Sequence, residues 1–175
     1  STSYATLELV EELTADVANP RVLIVALGEI GADVCRHFGD SKLFQHVTIC
    51  NRTRATADLL AEECGLRVLD FEHLVQGLKD ADVIISSISR DEPFFTRDMV
   101  ERLEVLSYKF FIDLSVPRSI APDVETVPGV LVYNIDAIQS KASAALERRL
   151  AAVPQVRAII EESMAGLQDW TKEML

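Results

Sequence analysis

The stretch VLIVALGEIG at residues 22–31, then ADVCRHF at 32–38, then HVTICNRTR at 46–54 decides the fold of this 175-residue chain. Residues 22–27 are β-branched and leucine-rich without alternation, the pattern of a parallel strand buried on both faces. A turn must follow. Gly28 lets the backbone approach a pyrophosphate, and Gly31 lets the next helix pack on the strands while its N-terminal N–H groups face the phosphates. Gly28, Glu29, Ile30 and Gly31 are therefore candidate contacts of a dinucleotide. The first glycine of the G-x-G-x-x-G pattern is replaced by Ala26. In the helix Ile30, Val34, Cys35 and Phe38 share one face, and Gly39 stands where a left-handed residue would close it.

About twenty residues downstream, where an acidic residue would hold an adenosine ribose hydroxyl, the chain reads Asn51-Arg52-Thr53-Arg54. A guanidinium suits a 2′-phosphate, which a carboxylate would repel. The pattern predicts NADPH rather than NADH, with Asn51, Arg52, Thr53 and Arg54 as its contacts. Solvated arginines beside a helix start are the plain alternative, and the helix dipole disfavours cations there unless an anion comes between. Thr53 is placed to cap the next helix, which runs to Cys64 and stops at Gly65.

Composition bounds the rest. Apolar residues make up 49% of the chain, enough for one domain with a substantial core. A net charge of −11 argues against a nucleic-acid-binding surface on these residues. Cys35, Cys50 and Cys64 show no CxxC pairing and read as buried thiols of a reducing, cytoplasmic setting. His37, His46 and His73 lack metal-ligand spacing with them, so no metal is expected. No signal peptide and no membrane-spanning run is read.

The elements alternate. A leading amphipathic helix over 4–18 carries Leu7, Val10, Leu13 and Val17 on its apolar side. Strands follow at 22–27, 47–51, 67–69, 82–86, 110–114 and 130–133, with helices at 29–38, 54–64, 71–79 and 96–103 between them. The pattern is α/β: a doubly wound parallel sheet of the Rossmann type. A long C-terminal helix opens with Asp136 and Gln139 in a capping-box arrangement, and Pro154 is expected to kink or divide it. The division is a leading helix at 1–20, a nucleotide-binding domain at 21–135 and the long helix from 136 to 175.

Ligands of such sheets bind outside the carboxyl ends of the strands. Ser86, Ser87 and Ser89 end the fourth strand there, suited to line ribose and pyrophosphate; ordinary turn chemistry accounts for them equally well. Asp113 to Arg118 ends the fifth strand, with Asp113 expected to pair with Arg118.

VLIVALGEIG, ICNRTR, ADVIISSIS, FIDLSVPRSI and VLVYNIDAIQS, in this order, resemble the NADPH-binding domain of glutamyl-tRNA reductases, over nearly the whole chain. The resemblance implies a parent enzyme of tetrapyrrole (porphyrin) biosynthesis that reduces glutamyl-tRNA to glutamate-1-semialdehyde. In that family a cysteine of a separate N-terminal domain forms a thioester, NADPH reduces it, and a spinal helix joins the domains of a homodimer. No counterpart of that cysteine motif occurs here, so no catalytic residue is assigned and the chain alone is expected to be inactive. Ala26, Ser115, Ser119 and Pro154 depart from the family pattern. Two other classes remain open on the residues: a shikimate-dehydrogenase-like oxidoreductase, which needs a Lys and Asp pair from a substrate domain, and a non-catalytic NADP-sensing module.

Overall fold

A computed structural model of the chain describes residues 1–152. Helix α1 (Thr2–Leu13) precedes strand β1 (Arg21–Val25), and the chain continues through α2 (Glu29–Ser41), β2 (His46–Asn51), α3 (Arg54–Cys64) and β3 (Arg67–Asp70). A 3-10 turn at Phe71–His73 leads into α4 (Leu74–Asp80), followed by β4 (Val83–Ser86), α5 (Arg97–Glu101), β5 (Lys109–Asp113), a second 3-10 turn at Pro122–Thr126, β6 (Val130–Asn134) and α6 (Ile135–Ala152). All six strands are parallel, in the order β3-β2-β1-β4-β5-β6. The order reverses between β1 and β4, which opens a crevice at their carboxyl ends.

The unalternated strands behave as their composition dictates. In β1, Val22 and Ile24 enter one core with Val34, Phe38, Ile49 and Leu60, while Leu23 and Val25 enter the other with Leu78, Phe95 and Phe111. Both faces are covered, so the sheet demands apolar residues at successive positions. Among the described residues no helix is long and apolar enough to cross a membrane.

Several local expectations are corrected. Helix α1 stops at Leu13, because the Thr14 hydroxyl donates to the Val10 carbonyl at 2.6 Å and ends the helix, leaving Val17 outside it and exposed. Gly39 does not close α2. The helix runs on to Ser41, and Lys42 takes the left-handed conformation at φ 57°. Gly39 instead marks a close helix approach, since a Cβ there would lie 2.6 Å from the Cys64 carbonyl oxygen at the end of α3. Gly65, by contrast, closes α3 in the left-handed conformation as expected. The capping box at Asp136 is not formed either: Asn134 Oδ1 accepts from the Ala137 N–H at 2.9 Å, and Gln139 turns to the Thr2 hydroxyl of α1. Pro154 lies outside the described residues.

Candidate functional site

The turn after β1 is built around Ala26. Its backbone has φ 68°, a left-handed conformation that glycine adopts freely and alanine adopts at a cost. Its N–H donates to the Cys50 carbonyl and its carbonyl accepts from the Ser87 hydroxyl at 2.8 Å, so neighbours on both sides hold the strained residue. Gly31 is buried under this turn. A Cβ there would lie 2.5 Å from Ser87 Oγ and 2.6 Å from the Ala26 carbonyl oxygen. Gly28 occupies the N-cap position of α2, and a Cβ on it would meet nothing within 4 Å. One glycine thus lets the helix dock and the other leaves open space before the helix N-terminus. Glu29 is exposed in the first turn, and Ile30 packs half-buried against the core.

A cleft of about 470 Å³ lies at this end of the sheet. Val25 and Ala26 come from the end of β1, Asn51 from the end of β2 and Arg52 from just beyond it, Phe71 from beyond β3, and Ile88, Ser89, Arg90 and Phe94 from beyond β4. A smaller cleft, about 130 Å³, lies at the amino end beside Arg21, His46 and Arg67. The carboxyl-end cleft is the one that the topology assigns to a ligand.

The predicted contacts fall into two groups. Arg52 is exposed, with its guanidinium 5.1 Å from the centre of the Phe71 ring. Asn51 lines the cleft and donates to the Thr53 carbonyl at 3.1 Å. Thr53 stands at the N-cap of α3 but its hydroxyl makes no capping hydrogen bond, contrary to expectation. Arg54 turns away from the cleft: it pairs with Asp58 at 2.8 Å, one turn along α3, and with Asp70 at the end of β3. Those carboxylates, rather than a bound anion, offset the unfavourable placement of this cation at a helix N-terminus.

The serines also separate. Ser89 is exposed in the cleft, and Ser87 braces the Ala26 turn. Ser86 is fully buried with its hydroxyl 2.7 Å from Ser119 Oγ, so its side chain serves the interior and not a ligand. The expected Asp113–Arg118 pair is absent. Asp113 is buried beneath the loop it organises, accepting from the N–H groups of Ser115, Ser119 and Ile120 and from the Ser119 hydroxyl at 2.8–3.1 Å. Arg118 reaches Asp136 instead, at 3.4 Å.

No cysteine is poised for nucleophilic work. Burial pushes the Cys35 thiol up to about 12 and the Cys50 thiol up to about 11, and Cys64 is raised by partial burial and by Glu63. Asp70, Glu72 and His73 bring potential ligand atoms within 4.8 Å of one another, a grouping that sequence spacing did not suggest. The Asp70 carboxylate is already engaged by Arg54.

Phe71, Ile88, Arg90 and Phe94 were missed in the sequence reading. Phe71 and Phe94 lie 6.2 Å apart between ring centres, and Arg90 stands 5.7 Å over Phe94. A cation and two aromatics within Arg90-Asp-Glu-Pro-Phe-Phe, just beyond a buried strand, were the available signal.

The sheet order, the glycine-braced turn and the crevice define a nucleotide-binding Rossmann domain, and the chain belongs to the Shikimate / quinate 5-dehydrogenase family, whose model matches residues 8–141. Within that breadth its relatives are glutamyl-tRNA reductases, as the motifs indicated. It is 48% identical over 174 residues to the glutamyl-tRNA reductase of Cytophaga hutchinsonii, covering 99% of this chain and 41% of that protein. Identity to the enzyme of Chlorobaculum parvum is 32%, covering 97% of this chain and 41% of that one. The solved glutamyl-tRNA reductase from Methanopyrus kandleri superposes with a TM-score of 0.79 at 29% identity, over 99% of this chain and 44% of that chain. The nucleotide binding domain of the Thermoplasma volcanium enzyme shares the fold, with a TM-score of 0.65 at 19% identity over 85% of this chain and 96% of that one. The chain therefore spans about two fifths of the length of the curated relatives it matches.

Proposed function

We propose that this chain is the NADPH-holding domain of a glutamyl-tRNA reductase, delivering the hydride that reduces an activated glutamyl group to glutamate-1-semialdehyde. The observation that carries the cofactor choice is Arg52, a guanidinium without a carboxylate partner among the described residues, held over the Phe71 ring at the mouth of the cleft. The residues fit a dinucleotide: open space beyond Gly28 admits a pyrophosphate before the N-terminus of α2, and Gly31 keeps that helix against the turn. When bound, NADPH supplies the hydride; the protein binds, orients and selects it. Arg52 offers charge and paired donors to the 2′-phosphate, Asn51 and Ser89 border the same cleft, and Ser87 holds the turn beneath the pyrophosphate. The shikimate-type alternative is disfavoured, since the relative at 48% identity over 99% of this chain is a glutamyl-tRNA reductase.

The substrate reading rests on the relatives. Glutamyl-tRNA and the thioester-forming cysteine belong to parts of the parent outside these residues, α6 forms the first part of the domain-connecting helix, and the parent is a homodimer. The chain divides accordingly into the leading helix at 1–20, the nucleotide domain at 21–135 and the connecting helix from 136, of which residues 153–175 lie outside the described residues.

Calorimetric titration with NADPH and NADH tests the cofactor. A charge-assisted contact worth about 1.5–3 kcal/mol gives roughly a ten- to hundredfold preference for NADPH, shrinking as salt rises. Arg52→Ala should remove most of it and leave NADH binding nearly unchanged. Equal affinity of the unmutated chain for both cofactors would overturn the assignment; loss of both affinities in the variant would make Arg52 a structural residue.

A further inference from the structure

We propose that Arg90 is the second guanidinium of the 2′-phosphate site, closing on the ligand from the side opposite Arg52, with Phe71 and Phe94 holding the two arginines and receiving the adenine. The inference rests on the NADPH reading above and adds a residue that neither the sequence pattern nor the relatives' names assign.

A phosphate monoester carries about −1.5 to −2 charges at neutral pH, so a single arginine leaves it undercompensated in a cleft. The sequence offered Arg54 as the helper. The structure withdraws it, because its guanidinium is bound by Asp58 and Asp70, and an incoming phosphate would meet those two carboxylates. Arg90 is exposed in the cleft and, like Arg52, has no carboxylate partner among the described residues.

The topology sets the two arginines opposite each other. In the order β2-β1-β4, Arg52 follows β2 and Arg90 lies beyond β4, so they flank the end of β1 and the Ala26 turn. Each lies over its own aromatic ring, at 5.1 Å for Arg52 over Phe71 and 5.7 Å for Arg90 over Phe94. A cation–π contact uses no N–H donor, and neither guanidinium donates a hydrogen bond among the described residues, so the donors that a phosphate needs are held free before the ligand arrives. Part of the rotamer entropy of two long side chains is already lost in the free protein, which favours binding. Phe71 and Phe94, 6.2 Å apart and tilted by 50°, form with Ile88 an apolar wall beside the phosphate position, the surface an adenine ring requires.

The test is a titration of the 175-residue chain and its Arg52→Gln, Arg54→Gln and Arg90→Gln variants with NADPH, NADH, 2′-AMP and 5′-AMP. All three arginines are exposed, and thermal unfolding checks that each variant remains folded. Arg90→Gln is expected to weaken NADPH and 2′-AMP about tenfold or more, with NADH and 5′-AMP changed by less than about twofold. Arg54→Gln is expected to leave the NADPH/NADH ratio unchanged. If Arg90→Gln keeps the full ratio while Arg52→Gln loses it, the role of Arg90 is overturned and the NADPH reading stands. A loss in Arg54→Gln equal to that in Arg90→Gln also overturns the assignment. Absence of any preference in the unmutated chain removes both this inference and the reading beneath it.

Discussion

Ala26 carries a cost that the sequence pattern only hints at. Replacing a turn glycine by alanine is harmless where φ is negative, but here φ is 68°, where a Cβ crowds the following carbonyl at about 1–2 kcal/mol. Glycine would relieve that cost and give back part of it through the greater freedom of the unfolded chain. Ala26→Gly is therefore expected to raise stability by up to about 1 kcal/mol in denaturant titrations and to strengthen nucleotide binding modestly. A variant that binds NADPH less tightly would show that the alanine methyl contributes to the site. At this scale the sequence was legible where one residue type has one use, as with Gly31 and Gly65. It was illegible where the outcome depends on a distant partner. Asp113 had Arg118 five positions away, yet four donors of its own loop claim the carboxylate. Arg54 looked equivalent to Arg52 until β3 delivered Asp70 beside it.

Elements were legible through apolar runs, and their ends were not. Every strand lies within a residue or two of its expected position, most plainly β1 and β4, whose apolar runs are buried on both faces. Helix ends depend on single hydrogen bonds, and those are what moved α1 and the cap of α6. Helix α4 has an end that periodicity cannot show at all. Lys109, the first residue of β5, is buried, and its ammonium donates to the Leu78, Lys79 and Ala81 carbonyls at the C-terminus of α4. Burial lowers its pKa, while the carbonyls of a helix C-terminus reward the cation. Lys109→Met removes the cost of burying an ion but leaves three carbonyls without that donor. The second effect is the larger, so the variant should lose about 1.5–3 kcal/mol of stability, read from its urea midpoint. An unchanged midpoint would mean that water replaces the ammonium at no cost.

For the whole molecule, the three thiols set both a stability limit and a chemical one. Burial raises Cys35 from 9.0 to about 12 and Cys50 from 9.0 to about 11. Above pH 9 the unfolded chain releases these protons while the folded chain retains them, so the native state binds more protons and stability falls as pH rises. The contribution is complete below pH 9 and is lost across the window from 9 to 12, at no more than about 1.4 kcal/mol per thiol per pH unit. Unfolding midpoints at pH 8, 9.5 and 10.5 should fall in that order, and less steeply in Cys35→Ala after correction for the lost packing. The same shifts have a consequence at neutral pH. A thiolate is the form that attacks an aminoacyl ester, and burial disfavours it at Cys35 and Cys50, as partial burial and the Glu63 carboxylate do at Cys64. On the function proposed above, the chain holds the hydride donor and lacks a thiolate to form the thioester acceptor. Supplied with NADPH and glutamyl-tRNA, it should consume NADPH no faster than without the charged tRNA, as followed by the loss of nicotinamide absorbance. Consumption that depends on glutamyl-tRNA would mean that this chain carries a nucleophile of its own, and would reassign the division of labour proposed for the parent enzyme.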